Sequence, residues 1–154
     1  MASIISLQDR LDALYQVLAT LRLDSQPEEF TKFASFFADD GIAYLKSMRE
    51  HDEPSIGRQG IINGIKDVLK DQCLENRRVV SISTNDRERT VFTEMEMRYV
   101  VHAEVLDPFH ETSVAVFNGD GLITNFKIYS CRSHIVMLIQ KQTGLGPYSA
   151  EVMR

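Results

Sequence analysis

The stretch Thr90 to His102, TVFTEMEMRYVVH, leaves this chain fewer choices than any other. From Phe92 onward one parity carries Glu94, Glu96, Arg98 and His102, interrupted by Val100. The other carries Val91, Thr93, Met95, Met97, Tyr99 and Val101. A period of two is that of a β-strand with one wet or pairing face and one buried face. A helix cannot sort residues this way, because neighbours two apart do not share a side. The Met95/Met97/Tyr99 face therefore needs a cover, and the rest of the chain reads as the elements that supply it.

Leu7, Leu11, Leu14, Tyr15 and Leu18 recur at three- and four-residue spacing, which predicts an amphipathic helix over 4–22. Ser6 ahead of Asp9 has the spacing of a capping box. Pro27, close to a first helical position, opens a second helix over 27–38 that turns Phe30, Phe33, Phe36 and Phe37 to a core. Asp39-Asp40-Gly41 is expected to stop it. A short strand at 42–48 leads into a polar loop, 49–54, that carries His51. A third helix is expected over 55–75, with Ile61, Ile62, Ile65, Val68, Leu69 and Cys73 on its buried stripe.

After it come a strand at 77–85, the strand already described, and a break at Asp107-Pro108-Phe109. A strand at 111–117 then meets a hairpin turn, Asn118-Gly119-Asp120-Gly121, and a strand at 122–132. Residues 134–141 are apolar enough for a last helix or strand, and 143–154 read as a loose tail. Helices followed by a run of antiparallel strands give an α+β plan in one domain, 1–154, with its core over about 5–142.

At 154 residues the chain can bury a real core, and 44% hydrophobic with 25% charged residues is ordinary for a soluble protein. A net charge of −5 with no basic cluster argues against a nucleic-acid partner. Cys73 and Cys131 form no CxxC and join no His/Cys cluster, so both are expected to be buried reduced thiols, and no metal is expected. No apolar run approaches the roughly 20 residues of a membrane span, and the amphipathic start lacks the basic region of a signal peptide. A cytoplasmic protein without membrane contact is the expectation. GxGxxG, P-loop, GxSxG and HExxH patterns are missing, so no cofactor is expected either.

Three stretches carry a family resemblance: FFADDGIAYL at 36–45, GRQGIINGIKDVL at 57–69 and FNGDGLITNFKIYS at 117–130. With the order of elements, over about residues 5–132, they resemble the SnoaL-like, nuclear-transport-factor-two-like superfamily, which includes ketosteroid isomerase and scytalone dehydratase. The resemblance implies a cone-shaped, curved antiparallel sheet wrapped around the long third helix, behind three helices of the N-terminal half, with a pocket at the open end. It implies an inward set of Met95, Met97 and Tyr99, then Ser113, Ala115 and Phe117, then Phe126, Ile128 and Ser130. The parity of the first strand agrees with it independently.

That lining, apolar with a few hydroxyls, suits a hydrophobic polycyclic ligand. Tyr15 matches the region where ketosteroid isomerase keeps a hydrogen-bonding tyrosine. Tyr99 and Ser113 face inward as further donors, and His51, in a loop at the mouth, suits acid–base work. Asp40 is weighed as a ligand contact or a turn cap, His102 as a residue of the mouth rim or the outer face and His134 as a group closing the pocket. The chain also departs from the family: Leu45 stands near the position of ketosteroid isomerase's carboxylate base, and Ser113 at that of its second buried acid. The two-histidine pattern of scytalone dehydratase has no clear counterpart.

Two functions follow as expectations. The first is a cofactor-independent isomerase, cyclase or dehydratase acting on a natural-product intermediate such as a terpenoid, polyketide or alkaloid, similar to fungal ring-rearranging enzymes. The second is a non-catalytic carrier or protein-interaction module. The outward residues Glu94, Glu96, Arg98, Asn125, Lys127 and Tyr129, around Val114 and Val116, suit a two-fold homodimer through the sheets.

Overall fold

The computed structural model describes residues 5–48 and 53–154, so His51 lies outside the described residues. Four helices and six strands are found among them: α1 (Leu7–Thr20), α2 (Pro27–Ala34), β1 (Phe37–Tyr44), β2 (Ser55–Ile56), α3 (Gly57–Leu69), β3 (Gln72–Asn85), β4 (Thr90–Val101), β5 (Glu104–Phe117), β6 (Ile123–Tyr129) and α4 (Ser133–Thr143). The strands form one curved, open sheet in the order β2-β1-β6-β5-β4-β3. The architecture is α+β. The sheet is mixed rather than antiparallel throughout, because β1 runs parallel to β6.

Ser6 caps α1 as its spacing predicts, accepting from the Asp9 amide at 3.1 Å and donating to the Asp9 carboxylate at 2.8 Å. Leu11, Leu14 and Tyr15 turn inward from this helix, and Ile61, Ile65, Val68 and Leu69 from α3. Both stripes join one core with the inward parity of the sheet. Aromatic rings stitch the layers together. Phe126 meets Phe37 edge-on at 6.1 Å and Tyr15 at 6.2 Å, and Phe37 meets Phe33 at 5.8 Å. Such pairs contribute about 0.5–1.5 kcal/mol each beyond their burial.

The strand alternation of β4 holds as expected. Met95 and Met97 are fully buried and Tyr99 nearly so, while Glu94 is exposed and Glu96 pairs with Arg78 on the outer side. The sheet bends at bulges, each an extra residue that increases twist. Two lie in the β3–β4 ladder, between Leu74 and Asn76 and between Val79 and Ser81. A third lies in β5, where the pairing Met97↔Phe109 changes to Tyr99↔Leu106.

That third bulge corrects the break expected at Asp107-Pro108-Phe109. The strand continues from Glu104 to Phe117, with Asp107 and Pro108 exposed at the bulge, a position that tolerates the missing amide of proline. Asp39-Asp40-Gly41 likewise does not stop a helix. The helix ends at Ala34, and these residues bulge out of β1 between the pairings Phe37↔Ile123 and Ile42↔Asn125. The third helix is shorter than expected, because the chain from Gln72 onward is taken up as the ladder partner of Val101. Cys73 therefore sits half-buried on a strand, and Cys131, past the end of β6 and its alternation, is exposed. The tail folds back on α4: the Gln140 side chain donates to the Tyr148 carbonyl and accepts from its amide, at 2.7 and 2.9 Å. No helix among the described residues is long and apolar enough to cross a membrane.

Gly41 is needed where β1 rejoins β6. A β-carbon there would stand 2.9 Å from the Ile123 carbonyl oxygen and 3.1 Å from that of Ala38, both backbone atoms that cannot swing aside. Gly41→Ala is expected to lower the unfolding free energy by about 1–3 kcal/mol, read from urea denaturation. An unchanged midpoint would contradict the close approach.

Candidate active site

The inward parity of β5 does not begin at Ser113. It runs Phe109, Glu111, Ser113, Ala115 and Phe117, all buried. Glu111 is a carboxylate 5% exposed, held opposite Met95 in the ladder. Its partner is Tyr99, whose hydroxyl donates toward both carboxylate oxygens, at 3.1 and 3.2 Å. The bulge in β5 makes this meeting possible. It also brings the Phe109 ring edge-on to Tyr99 at 5.4 Å, which fixes the phenol.

Burial pushes the Glu111 carboxyl up from the ordinary range to about 7. The Tyr99 hydrogen bond and the charges of Arg132 and Arg77 act against that rise by favouring the ionised form. Tyr99 is pushed up as well, by burial first and then by the neighbouring carboxylate, so it remains a neutral donor. An acid raised toward neutrality beside a neutral phenol is able to exchange protons with a bound molecule.

Tyr99 and Glu111 stand on the wall of an inner hollow of about 30 Å³. Leu14, Phe33, Ile65, Leu69, Phe126 and Ile128 make its apolar walls, with Gln72 and Cys73 at one side. An outer cleft of about 290 Å³ between β1 and α3 shares Leu45, Lys46 and Val68 with it. Lys46 reaches across to Asp67 at 2.9 Å and, through that hydrogen bond and its charge, holds the Asp67 carboxyl below its ordinary range.

The expected site residues are only partly brought together. Tyr15 is buried, and its hydroxyl finds no protein hydrogen-bond partner among the described residues. Ser113 lies close enough to influence the ionisation of Tyr15, although it makes no hydrogen bond of normal geometry itself. Burial pushes Tyr15 far up. Met95, Met97 and Phe117 lie in the filled core beside the hollow, and Phe126 and Ile128 line it. Ser130 lines a separate cleft beside α4, with Arg132 and Tyr148. Asp40 and His134 are exposed. His102 sits in the β4–β5 turn at φ 45°, bonded to Asp71 at 2.7 Å. Leu45 lines the hollow as an apolar residue. No three His, Cys, Asp or Glu side chains among the described residues converge as a metal-ligand set.

Glu111 is the residue that reading the sequence missed. Extending the Ser113/Ala115/Phe117 parity back by two positions was the signal that could have found it.

No protein-family model and no curated protein matches the sequence. Among solved structures the chain is similar to one from Catenulispora acidiphila in complex with S-DNPA, at 14% identity and a TM-score of 0.56, over 81% of this chain and 90% of that one. It is similar to a second from the same organism, at 14% identity and a TM-score of 0.54, over 81% and 88% of the two chains. At this identity the likeness is one of fold.

Because the folded carboxyl binds its proton more tightly than the unfolded one, Glu111 stabilises least at high pH. Its contribution falls as pH rises from the unfolded value of 4.5 toward about 7 and is level above that. Glu111→Gln removes this dependence. Between pH about 5 and 8, wild-type stability should fall relative to the variant by on the order of 3 kcal/mol, measured by urea unfolding. Parallel pH profiles would show that Glu111 is not held neutral.

Proposed function

We propose that the chain is a cofactor-independent isomerase or cyclase working by acid–base and positional catalysis on a hydrophobic small molecule. Glu111 is the proton carrier and Tyr99 the donor that tunes it. The observation that carries this reading is an almost wholly buried carboxyl on an apolar wall, bonded by the Tyr99 phenol. In its protonated form Glu111 gives its proton to a basic atom of the substrate, such as a carbonyl or epoxide oxygen. As carboxylate it takes a proton from carbon, so an isomerisation closes without an added reagent. Apolar walls that hold one conformer and exclude water supply the rest.

The outer cleft serves as vestibule, with the Lys46–Asp67 pair at its rim. The family resemblance supports a cone-shaped SnoaL-like domain open at this end, and a polycyclic terpenoid, polyketide or alkaloid intermediate as the substrate class. A structure of similar fold from C. acidiphila is in complex with S-DNPA, which is consistent with a ligand-binding reading. The half-exposed Phe92, paired with Val114 on the outer sheet face, supports a two-fold homodimer there, and a cytoplasmic location remains part of this reading.

One observation favours the second reading, a carrier or protein-interaction module. The inner hollow, at about 30 Å³, takes a water rather than a polycyclic ligand unless its walls part.

Mass spectrometry of small molecules retained by the purified protein separates the two readings. The retained compound is then incubated with wild type, Tyr99→Phe, Glu111→Gln and His51→Ala. Conversion by wild type, reduced about 100-fold or more in Glu111→Gln and about 10-fold in Tyr99→Phe, is the expected result. A compound returned unchanged by wild type would make the protein a carrier, and full activity in Glu111→Gln would remove its assigned role. His51→Ala tests the loop histidine.

A further inference from the structure

Behind Glu111 lie three hydroxyls that the proposed reaction does not use. Ser113 is the next inward residue along β5, about 7 Å on at two residues' rise. Thr93 stands directly opposite Ser113 in the β4–β5 ladder, with β-carbons about 5 Å apart. Tyr15 reaches the same place from α1, near enough to Ser113 for each to feel the other. Exposures of 0%, 1% and 2% for Ser113, Thr93 and Tyr15 put all three out of reach of bulk solvent. None of the three hydroxyl oxygens has a hydrogen-bond partner among the described residues.

A buried hydroxyl left unpaired costs about 1–3 kcal/mol, and such groups almost always find a protein or water partner. Three gathered on one patch, each able to donate and accept at once, are the parts of a hydrogen-bonded file. The file has an outer end. Arg77 stacks on the Tyr15 ring at 4.2 Å, with Nη1 on the half-exposed Asp12 carboxylate at 2.8 Å and a buried Nη2 that lacks a partner. Asp12, Tyr15 and Arg77 line a surface cleft of about 360 Å³ between α1 and β3. This cleft lies on the flank of edge strand β3, away from the vestibule at β1 and α3.

We propose that Ser113, Thr93 and Tyr15, bridged by buried water, form a relay that carries protons between Glu111 and the Asp12/Arg77 cleft. The proposal rests on Glu111 being the proton carrier. It gives that residue an exchange route that stays open while a substrate fills the hollow. Each step breaks one O–H bond and forms another on the next oxygen, so the net change is a Glu111 carboxyl becoming a carboxylate with one proton delivered to solvent. The charged and titratable groups that act on Glu111 are Tyr99 from β4, Arg77 from β3, Arg132 after β6 and, through its own coupling to Glu111, Tyr15 from α1.

The test is a pH jump across about 7, following the infrared carbonyl band of the protonated carboxyl that disappears in Glu111→Gln. Ser113→Ala, Thr93→Val and Tyr15→Phe should each slow the appearance or loss of that band roughly tenfold or more. Its midpoint should stay within about half a pH unit. Wild-type rates in all three variants would overturn the relay and route the proton through the vestibule. If Glu111→Gln removes no band that titrates near neutrality, the reading of Glu111 fails first, and the relay with it.

Discussion

A phenol and a carboxyl meet where water is almost excluded, and the candidate chemistry of this molecule depends on that contact. Two effects of opposite sign set the balance. Burial favours the neutral acid, whereas the Tyr99 hydroxyl across both oxygens, with Arg132 and Arg77 further off, favours the anion. Burial outweighs them, and the Glu111 carboxyl is left raised to about 7. Had the bulge near Pro108 been absent, the register of β5 against β4 would differ by one residue. The odd-numbered residues of β5 would then face outward opposite Tyr99, and Glu111 would face solvent.

The rest of the fold divides into a part that holds still and a part that leaves room. The rings of Phe33, Phe37, Phe126 and Tyr15 tie α2, β1, β6 and α1 into one block. Beside it, between α3 and the sheet, the packing loosens into the inner hollow and the outer cleft. The buried acid has a cost in stability above neutral pH, as functional groups in dry places commonly do.

Much of this was legible in the residues. Alternation from Thr90 to Val101 gave the inner and outer faces of β4 directly, since a strand's period of two cannot be shifted without exposing two methionines. The leucine stripe of α1 and the isoleucine stripe of α3 were equally plain. What failed was local punctuation. Asp39-Asp40-Gly41 and Asp107-Pro108 carry the composition of chain stops, yet both are bulges within strands, because neighbouring β6 and β4 supply ladder bonds that outweigh turn propensity. Glu111 lay inside the expected strand at 111–117 and on the parity of Ser113, Ala115 and Phe117, but at its first residue, beside an expected break, it was not counted in the inward set. An acid is also not the residue type that pattern reading assigns to a core.

The most direct measurement is a carbon-13 NMR titration of the glutamate side-chain carboxyl carbons. One resonance with a midpoint of about 7, missing from Glu111→Gln and shifted higher in Tyr99→Phe where the hydrogen bond to the anion is lost, is what the account requires. If every glutamate titrates near its free value of about 4.3, the carboxyl is hydrated, the hollow is not dry, and the proposed proton carrier is the wrong residue.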